Sequence, residues 1–506
     1  MGEHIGESAE KGGHEANPSD KGEVPVSRRE LWGFYAYSAA SEPYSAVLMT
    51  VFLPVILESL ATSNGYQLDR ETPCDSSVPG YQCVLQIGSL WVDTTSFPLY
   101  VTSLGVIIQA FLFVSMGALA DHGNWRKNFL LFFNTFGAIA GTLILAITSA
   151  KGVLGAAVIT LLGNISFGST LVFIYAYVPT LTRFHPEMLK AQKLGDKQAI
   201  RQTRTEVGNR ISGHGIALGY AAGVLMLVIS AVVVNFSTNQ IYGMQIGCAI
   251  ACVWWLVLGI VAHRLMPERI APPLPAGENY FTFSWRQVFR TVRQAHRLSH
   301  TFRYLITWFL LSDGISTITS TAVLFAKIEL AMTQFELVLA AIAVIMSAGL
   351  GVYVWMFIRR RFQLTTRQVL IIICCIYTLL PVYGLIGFAA PFGIRHKSEL
   401  WVVAVLDGLL LGAMHSHSRV MFSDLLPAGK ENEFFSLYEI TDKGAAWIGP
   451  LITAAIKDAT HNLRYSFYFL VCMLFLPAIL TWSVDVEKAK KDAEKFAEDE
   501  KTAHVA

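Results

Sequence analysis

The sequence predicts an all-α integral membrane protein, with twelve transmembrane helices divided into two six-helix halves. Three observations carry that prediction. Of 506 residues, 53% are hydrophobic and only 15% are charged, a balance too apolar for a water-soluble globular domain. The apolar residues gather into twelve runs of about twenty, the length that crosses a ~30 Å hydrocarbon layer as a helix. A long connection carrying Pro267, Pro272, Pro273 and Pro275 then separates the first six runs from the last six.

The runs fall near residues 31–60, 98–120, 128–150, 153–180, 211–235, 242–265, 302–327, 335–358, 367–390, 399–424, 434–456 and 464–484. Residues 1–30, rich in Gly, Glu, Lys, Ser and His, read as a disordered tail rather than a cleaved signal. The first half is expected at 31–265, a linker at 266–301, the second half at 302–484 and a charged tail at 485–506. The alternating Lys, Glu, Asp and Ala of that tail suit either a helix on the membrane surface or an irregular segment. Net charge is only +2, but the basic residues are unevenly placed. With both tails on one side, Arg126, Lys127, Lys190, Lys193, Arg204, Arg210 and Arg359 to Arg361 share it. The other side holds Arg70, Lys151, Lys327, Arg395, Lys397, Lys457 and Arg464. The positive-inside rule therefore puts both termini in the cytoplasm. In the linker, the basic stretch from Trp285 to Arg303 suits a helix lying on anionic lipid or an ordinary solvated connector.

Five cysteines lie within apolar runs and read as small packing residues. Cys74 and Cys83 instead lie in a polar loop between the first two runs, and a bridge between them would mark that loop as lumenal or extracellular. The sequon at Asn235 falls on the same side but abuts the membrane.

Two short stretches stand out because they repeat. Ser41 to Ser45 reads Ser-Glu-Pro-Tyr-Ser in the first span, and Ser312 to Ser316 reads Ser-Asp-Gly-Ile-Ser in the seventh. Each acid lies ~16 Å into its run, close to the middle of the hydrocarbon layer. Ionisable groups at that depth are costly, so they face a cavity, the protein interior or a partner. Spans 1 and 7 would be counterparts in a duplicated architecture. Glu42, Asp313, Ser41, Ser45, Ser312 and Ser316 are accordingly the candidate substrate or proton site. The two acids are expected to face each other across a central cavity, with Pro43 and Gly314 loosening the backbone. The alternative is that each acid is protonated, or bonded to a neighbouring helix, and holds the bundle together.

Gly215, Gly219 and Gly223 form a small-residue stripe on span 5 that allows close helix packing, and Gly163, Asn164 and Gly168 suit the same role on span 4. Near the cytoplasmic mouth, Arg419, Glu439, Asp442 and Lys443 form a charge cluster suited to a gate or to a static ion-pair staple. His415 and His417 are two apart on a helix and point to different faces, so a shared metal is not expected. No nucleophile, phosphate loop or ligand constellation supports an enzyme, a cofactor or a metal, and no nucleic-acid partner is expected.

Between spans 2 and 3 the chain reads GALADHGNWRK from Gly117 to Lys127. This resembles the loop signature of the major facilitator superfamily, departing from it at Asn124 and Trp125. The resemblance implies a latch at the cytoplasmic side built on Gly117, Asp121, Arg126 and Lys127. Three longer strings, RRELWGFYAYSAASEPYSAV from Arg28, GNRISGHGIALGYAAGVL from Gly208 and FFSLYEITDKGAAWIGPL from Phe434, are similar to the fungal autophagy-related vacuolar amino-acid effluxers, a branch of that superfamily. The similarity runs from about residue 28 to 484. It implies a multi-pass protein of the vacuolar membrane that exports aliphatic and aromatic amino acids recovered by autophagy.

The function expected is secondary transport by alternating access, with the lipid bilayer, amino acids and candidate co-transported protons as partners. The competing reading is a transport-inactive receptor or scaffold on a transporter fold. The sequence leaves open the preferred amino acids, proton coupling and oligomeric state.

Overall fold

A computed structural model describes residues 24–75, 81–121, 125–175, 177–267, 274, 277–293, 297–423, 425–427, 434, 437–438, 441–442, 444 and 446–503. Among these residues, eleven helices are long and apolar enough to cross a membrane. The expected span at 434–456 falls largely on residues outside that set before Ile448. There Phe434, Leu437, Tyr438, Thr441, Asp442 and Gly444 are helical, 446–447 form a turn, and a new helix starts at Ile448.

The first span is a single 36-residue passage, Arg28–Ser63. Helix α1 (Arg28–Pro43) is capped by Ser27, whose hydroxyl accepts from the Glu30 amide. Proline at the end of α1 lacks the N–H that an α-helical ladder needs there. Beyond it the chain continues as a π-helical stretch, Tyr44–Phe52, before α2 (Leu53–Ser63). The polar loop that follows is not irregular, as hydropathy alone suggests. It folds into an antiparallel sheet of β1 (Tyr66–Gln67), β2 (Cys83–Ile87) and β3 (Leu90–Asp93), in the order β1-β2-β3. A Cys74–Cys83 disulfide ties this sheet together.

The rest of the first half is α3 (Ser96–Asp121), α4 (Arg126–Thr142), α5 (Val153–Tyr175), α6 (Tyr177–Arg183), α7 (Pro186–Leu194), α8 (Lys197–Phe236) and α9 (Gln240–Leu265). Helix α8 begins well before the expected 211 because residues 197–210 are polar, so a hydropathy scan passes over them. The linker contains α10 (Tyr280–Arg293). It docks on α3 through Trp285, whose Nε1 donates to Ser115 Oγ at 3.2 Å and whose ring packs on Phe111 at 5.6 Å.

The second half is α11 (Ser299–Ile328), α12 (Gln334–Arg361), α13 (Thr366–Ile386), α14 (Lys397–Ser423), α15 (Ile448–Thr460) and α16 (Ser466–Trp482). The charged tail forms α17 (Val486–Ala503), which buries Ala489, Ala493 and Phe496 at helical spacing.

Lipid gives apolar helices little reason to associate, so small residues that admit a neighbour's backbone hold such bundles together. The Gly215, Gly219 and Gly223 stripe of α8 lies on α1, where a Cβ added at Gly219 would come within 3.2 Å of the Ser38 carbonyl. Contact is tighter still between α12 and α14, where an added Cβ would fall 2.3 Å from Val344 O at Gly408 and 1.9 Å from Ala348 O at Gly412. Gly163 and Gly168 have another use. They make room for the side chains of Tyr44 and Gln109 rather than for a helix backbone.

The first described residues and the segment that follows α16 share one end of the bundle. There the Val26 amide donates to Phe184 O, Arg29 to Arg264 O, Arg303 to Ser483 O and Arg367 to Val484 O. The small sheet lies at the opposite end, called the hairpin end below.

Candidate functional site

At the hairpin end the two halves are joined by buried charge. Glu58 of α2 is fully buried, and its carboxylate accepts from Thr62 Oγ1 at 2.6 Å, from Tyr81 Oη and from Lys327 Nζ of α11. Lys327 also donates to Ser59 Oγ and to Val55 O. A second cluster repeats the arrangement beside it. Asp93, at the end of β3, has a side chain only 1% exposed and faces Lys457 Nζ of α15 at 3.6 Å, that lysine being 2% exposed. His461, which closes α15 in a left-handed conformation (φ 54°), brings Nδ1 within 3.5 Å of the same carboxylate. Asp458 of α15 accepts from the Asp93 amide at 2.8 Å and from Tyr100 Oη at 2.7 Å, while Ser96 Oγ donates to Ala454 O at 3.0 Å.

In both clusters the buried carboxylate belongs to the first half and the lysine to the second. Burial holds the Asp93 carboxyl above its ordinary range, with the Lys457 ammonium offsetting only part of that rise. Burial next to Glu58 likewise raises the Tyr81 phenol, which stays neutral as a donor. A buried pair of this kind gains little net stability, but it strongly penalises the loss of either partner.

The sequence reading did not select these residues. Glu58, Lys327 and Lys457 stand near the ends of apolar runs, where a charge usually marks only the membrane boundary. The available signal was an acid and a base near the same end of the counterpart spans 1 and 7.

The repeated mid-span acids are placed differently from expectation. Asp313 is fully buried and turned into its own half, where both carboxylate oxygens accept from the Gly449 amide of α15 at 2.9 and 3.1 Å. The carboxylate is thus bonded to a neighbouring helix, the alternative the sequence offered, because the first-turn amides of α15 are unpaired within the helix and hold a carboxylate well. Gly314 does not loosen the backbone: α11 runs unbroken through it, and the helical break lies just before α15. Ser312 Oγ donates to Asp442 at Oδ1 (2.8 Å) and at the carbonyl (3.0 Å). Ser316 is half-buried, and its carbonyl accepts from Ser320 Oγ at 3.0 Å.

Glu42 is half-buried on α1, directly before Pro43 and the π-helical stretch, with its Cβ and Cγ against Gly219 and Gly223. Ser41 Oγ donates to Ser38 O at 3.4 Å, and Ser45 offers its carbonyl to Thr50 Oγ1 at 3.0 Å.

At the tail end, Arg126 donates to Thr180 Oγ1 at 3.1 Å and lies over the Tyr177 ring at 5.1 Å. Lys127 is half-buried at the start of α4. The Gly117 and Asp121 side positions, with Glu439 and Lys443, lie outside what is described, so the expected latch and charge cluster are seen only through Arg126, Lys127, Arg419 and Asp442. Arg419 is half-buried and Asp442 is 6% exposed. Asn235 is exposed at the end of α8. His415 packs edge-on against Trp308, and His417 Nδ1 contacts Ala413 O, so the two histidines do not converge. Among the described residues no group of three His, Cys, Asp or Glu could hold a metal.

Comparison with known proteins gives this geometry a family. Residues 26–494 match the family described as "Vacuole effluxer Atg22 like". Autophagy-related protein 22 of Gibberella zeae is 33% identical, over 96% of this chain and 82% of its own length. The Coccidioides immitis protein of the same name is also 33% identical, over 94% and 89%. Among solved structures, a D-xylose-proton symporter superposes with a TM-score of 0.59 at 11% identity, covering 90% of this chain and 98% of its own. The human organic anion transporter MFSD10 gives 0.55 at 15%, covering 90% and 100%. Those structures establish the major facilitator fold, and by the family match the chain belongs to the Atg22-like vacuole effluxers.

Proposed function

We propose that the protein is a secondary transporter of the vacuolar membrane that releases amino acids, aliphatic and aromatic ones included, from the lumen to the cytoplasm by alternating access. In this reading it returns the products of autophagic breakdown. The observation that carries the proposal is the pair of buried carboxylate–lysine clusters that join the two halves at the hairpin end. Charges buried between rigid halves suit contacts that form in one state and separate into water in another.

The hairpin end is assigned to the lumen and both termini to the cytoplasm. A disulfide-bridged sheet suits an oxidising compartment, and the basic excess suits the tail side. Glu42 is the acid proposed to meet the ammonium group of the substrate, since it sits at mid-span beside backbone whose α-helical ladder is interrupted. Asp313 is assigned a positioning role, holding α15 against α11. Arg126 and its neighbours Gly117, Asp121 and Lys127, with Arg419, Glu439, Asp442 and Lys443, are proposed to close the cytoplasmic side in the opposite state.

The test is uptake and release of radiolabelled leucine and tyrosine by liposomes containing only the purified protein. Saturable flux that unlabelled amino acids compete away is expected. Liposomes no more permeable than protein-free ones would overturn the proposal.

A further inference from the structure

We propose that the linker helix α10 is a membrane-surface element that gathers phospholipids with anionic head groups at the tail end of the bundle. Its aromatic stripe lies among the acyl chains and its arginines lie at the head groups. The inference goes beyond the transport reading above and does not rest on it.

The depth of the helix follows from where it docks. Trp285 Nε1 donates to Ser115 Oγ, which stands ~28 Å along α3 from Ser96 at the hairpin end, against a hydrocarbon layer of ~30 Å. Phe111, on which the Trp285 ring packs, lies one turn deeper and is 53% exposed, as a side chain facing acyl chains would be. Trp285 is therefore held at the boundary between hydrocarbon and head groups, the level that indole rings favour. Phe281 and Phe289 lie one turn to either side of it, and the three rings form one stripe with centroids 6.4 and 6.2 Å apart. Phe281 also meets Phe111 at 6.2 Å. Helix α3 does not cover this stripe, because Phe281 stays 47% exposed and Phe289 66%. Rings left bare at this level bury their area in lipid.

The charges stand beside the stripe rather than on it. Arg286 and Arg293 are both exposed, and their spacing of two helical turns returns to the same flank of α10. Arg290 lies between them in the sequence, and Arg297, just past the helix, is exposed as well. Glu278 pairs with Arg286 and is the single acid from Glu278 to Arg297, a stretch that carries these four arginines. Guanidinium groups bind phosphate and carboxylate oxygens in bidentate fashion, and each cation near an anionic surface adds an attraction that salt screens. An acidic protein would satisfy the arginines but would have to reach rings that lie at the level of the acyl chains. An anionic phospholipid meets both, with its head group on the arginine flank and its chains on Phe281 and Phe289.

The experiment reads which lipid stands beside α10. The fluorophore NBD is attached at Thr282→Cys, an exposed position between the stripe and the arginine flank, in the full chain with the exposed Cys375 and Cys472 changed to serine. The protein is placed in phosphatidylcholine nanodiscs in which about a tenth of the lipid carries a nitroxide high on its acyl chain, under a phosphatidylserine head group in one set and a phosphatidylcholine head group in the other. Quenching at least about threefold stronger by the phosphatidylserine probe is expected, and the excess should fade in about 1 M salt, where the Debye length is ~3 Å. The Arg286→Gln/Arg290→Gln/Arg293→Gln/Arg297→Gln variant should lose the excess while the phosphatidylcholine probe quenches it as before. Equal quenching of the parent by the two probes would overturn the proposal, whether or not the variant folds, because α10 would lie at the interface without distinguishing lipids. Quenching by neither probe would also overturn it, leaving α10 a solvated connector or a docking surface for an acidic protein. An excess that survives intact in the variant would overturn the role given to the arginines.

Discussion

Removing the lysine alone should prise the hairpin end open. In the Lys327→Ala variant, the fully buried Glu58 carboxylate keeps the Thr62 and Tyr81 hydroxyls but loses its only cation among the described contacts. Breaking one side of a buried ion pair costs about 3–5 kcal/mol, and the two surviving donors place this case at the low end. About 3 kcal/mol corresponds to roughly a hundredfold shift from closed to open. Opening can be followed at Ala454→Cys, a fully buried position where α15 meets Ser96, by labelling with a membrane-impermeant maleimide from the hairpin side. If labelling waits on a rapid opening equilibrium, Lys327→Ala should accelerate it about a hundredfold. Glu58→Gln/Lys327→Met, which removes both charges, should return most of the way to the parent rate, because no buried charge is left unpaired. A rate unchanged by Lys327→Ala would show that the pair does not hold the gate. So would a double variant that labels as fast as the single one.

Other substitutions probe the remaining parts. Gly412→Ala puts a methyl group 1.9 Å from the Ala348 carbonyl, so α14 must shift, at about 1–3 kcal/mol. Its unfolding temperature in detergent should fall, whereas Gly349→Ala, which meets nothing within 4 Å, should leave it unchanged or raise it. Glu42→Gln should reach the membrane at the parent level and cut amino-acid flux at least about tenfold, and parental flux would remove Glu42 from the site. Asp485 caps α17, and the Lys488 amide, then the Glu487 amide, holds its carboxyl below the ordinary range. A depressed folded-state value means the cap is present above the unfolded pKa and is lost as pH falls through the folded one. Amide exchange in the first turn of α17, corrected for intrinsic rates, should therefore speed up at strongly acid pH. Asp485→Ala should show that faster exchange at neutral pH as well.

Much of the architecture could be read in the sequence because a bilayer demands it. Helices must satisfy their own backbone, so runs such as 242–265 announce themselves by length and apolarity, and α9 occupies Gln240–Leu265. Polar helices escape that logic, which is why the start of α8 and the fold of the Cys74–Cys83 loop went unseen. The glycine stripe of α8 was visible as spacing, yet Gly408 and Gly412 carry the closer contact. Spacing shows that a helix can be approached but not which one approaches it. The mid-span acids were correctly noticed as unusual, but the partner of Asp313 is the Gly449 amide, a backbone group that leaves no mark in composition. The hairpin-end clusters were hidden for a related reason. Glu58 and Lys327 are 269 residues apart, and only the meeting of two halves makes them a pair.

Alternating access is tested most directly by fastening the hairpin end shut. Ser96→Cys and Ala454→Cys, placed where the Ser96 hydroxyl now bonds the Ala454 carbonyl, can be joined by a short thiol cross-linker in protein whose Cys375 and Cys472 are serine. Amino-acid flux through liposomes should vanish on cross-linking and return when the link is reduced, with the parent protein unaffected by either treatment. Full flux through quantitatively cross-linked protein would contradict a mechanism in which the two halves must part at this end.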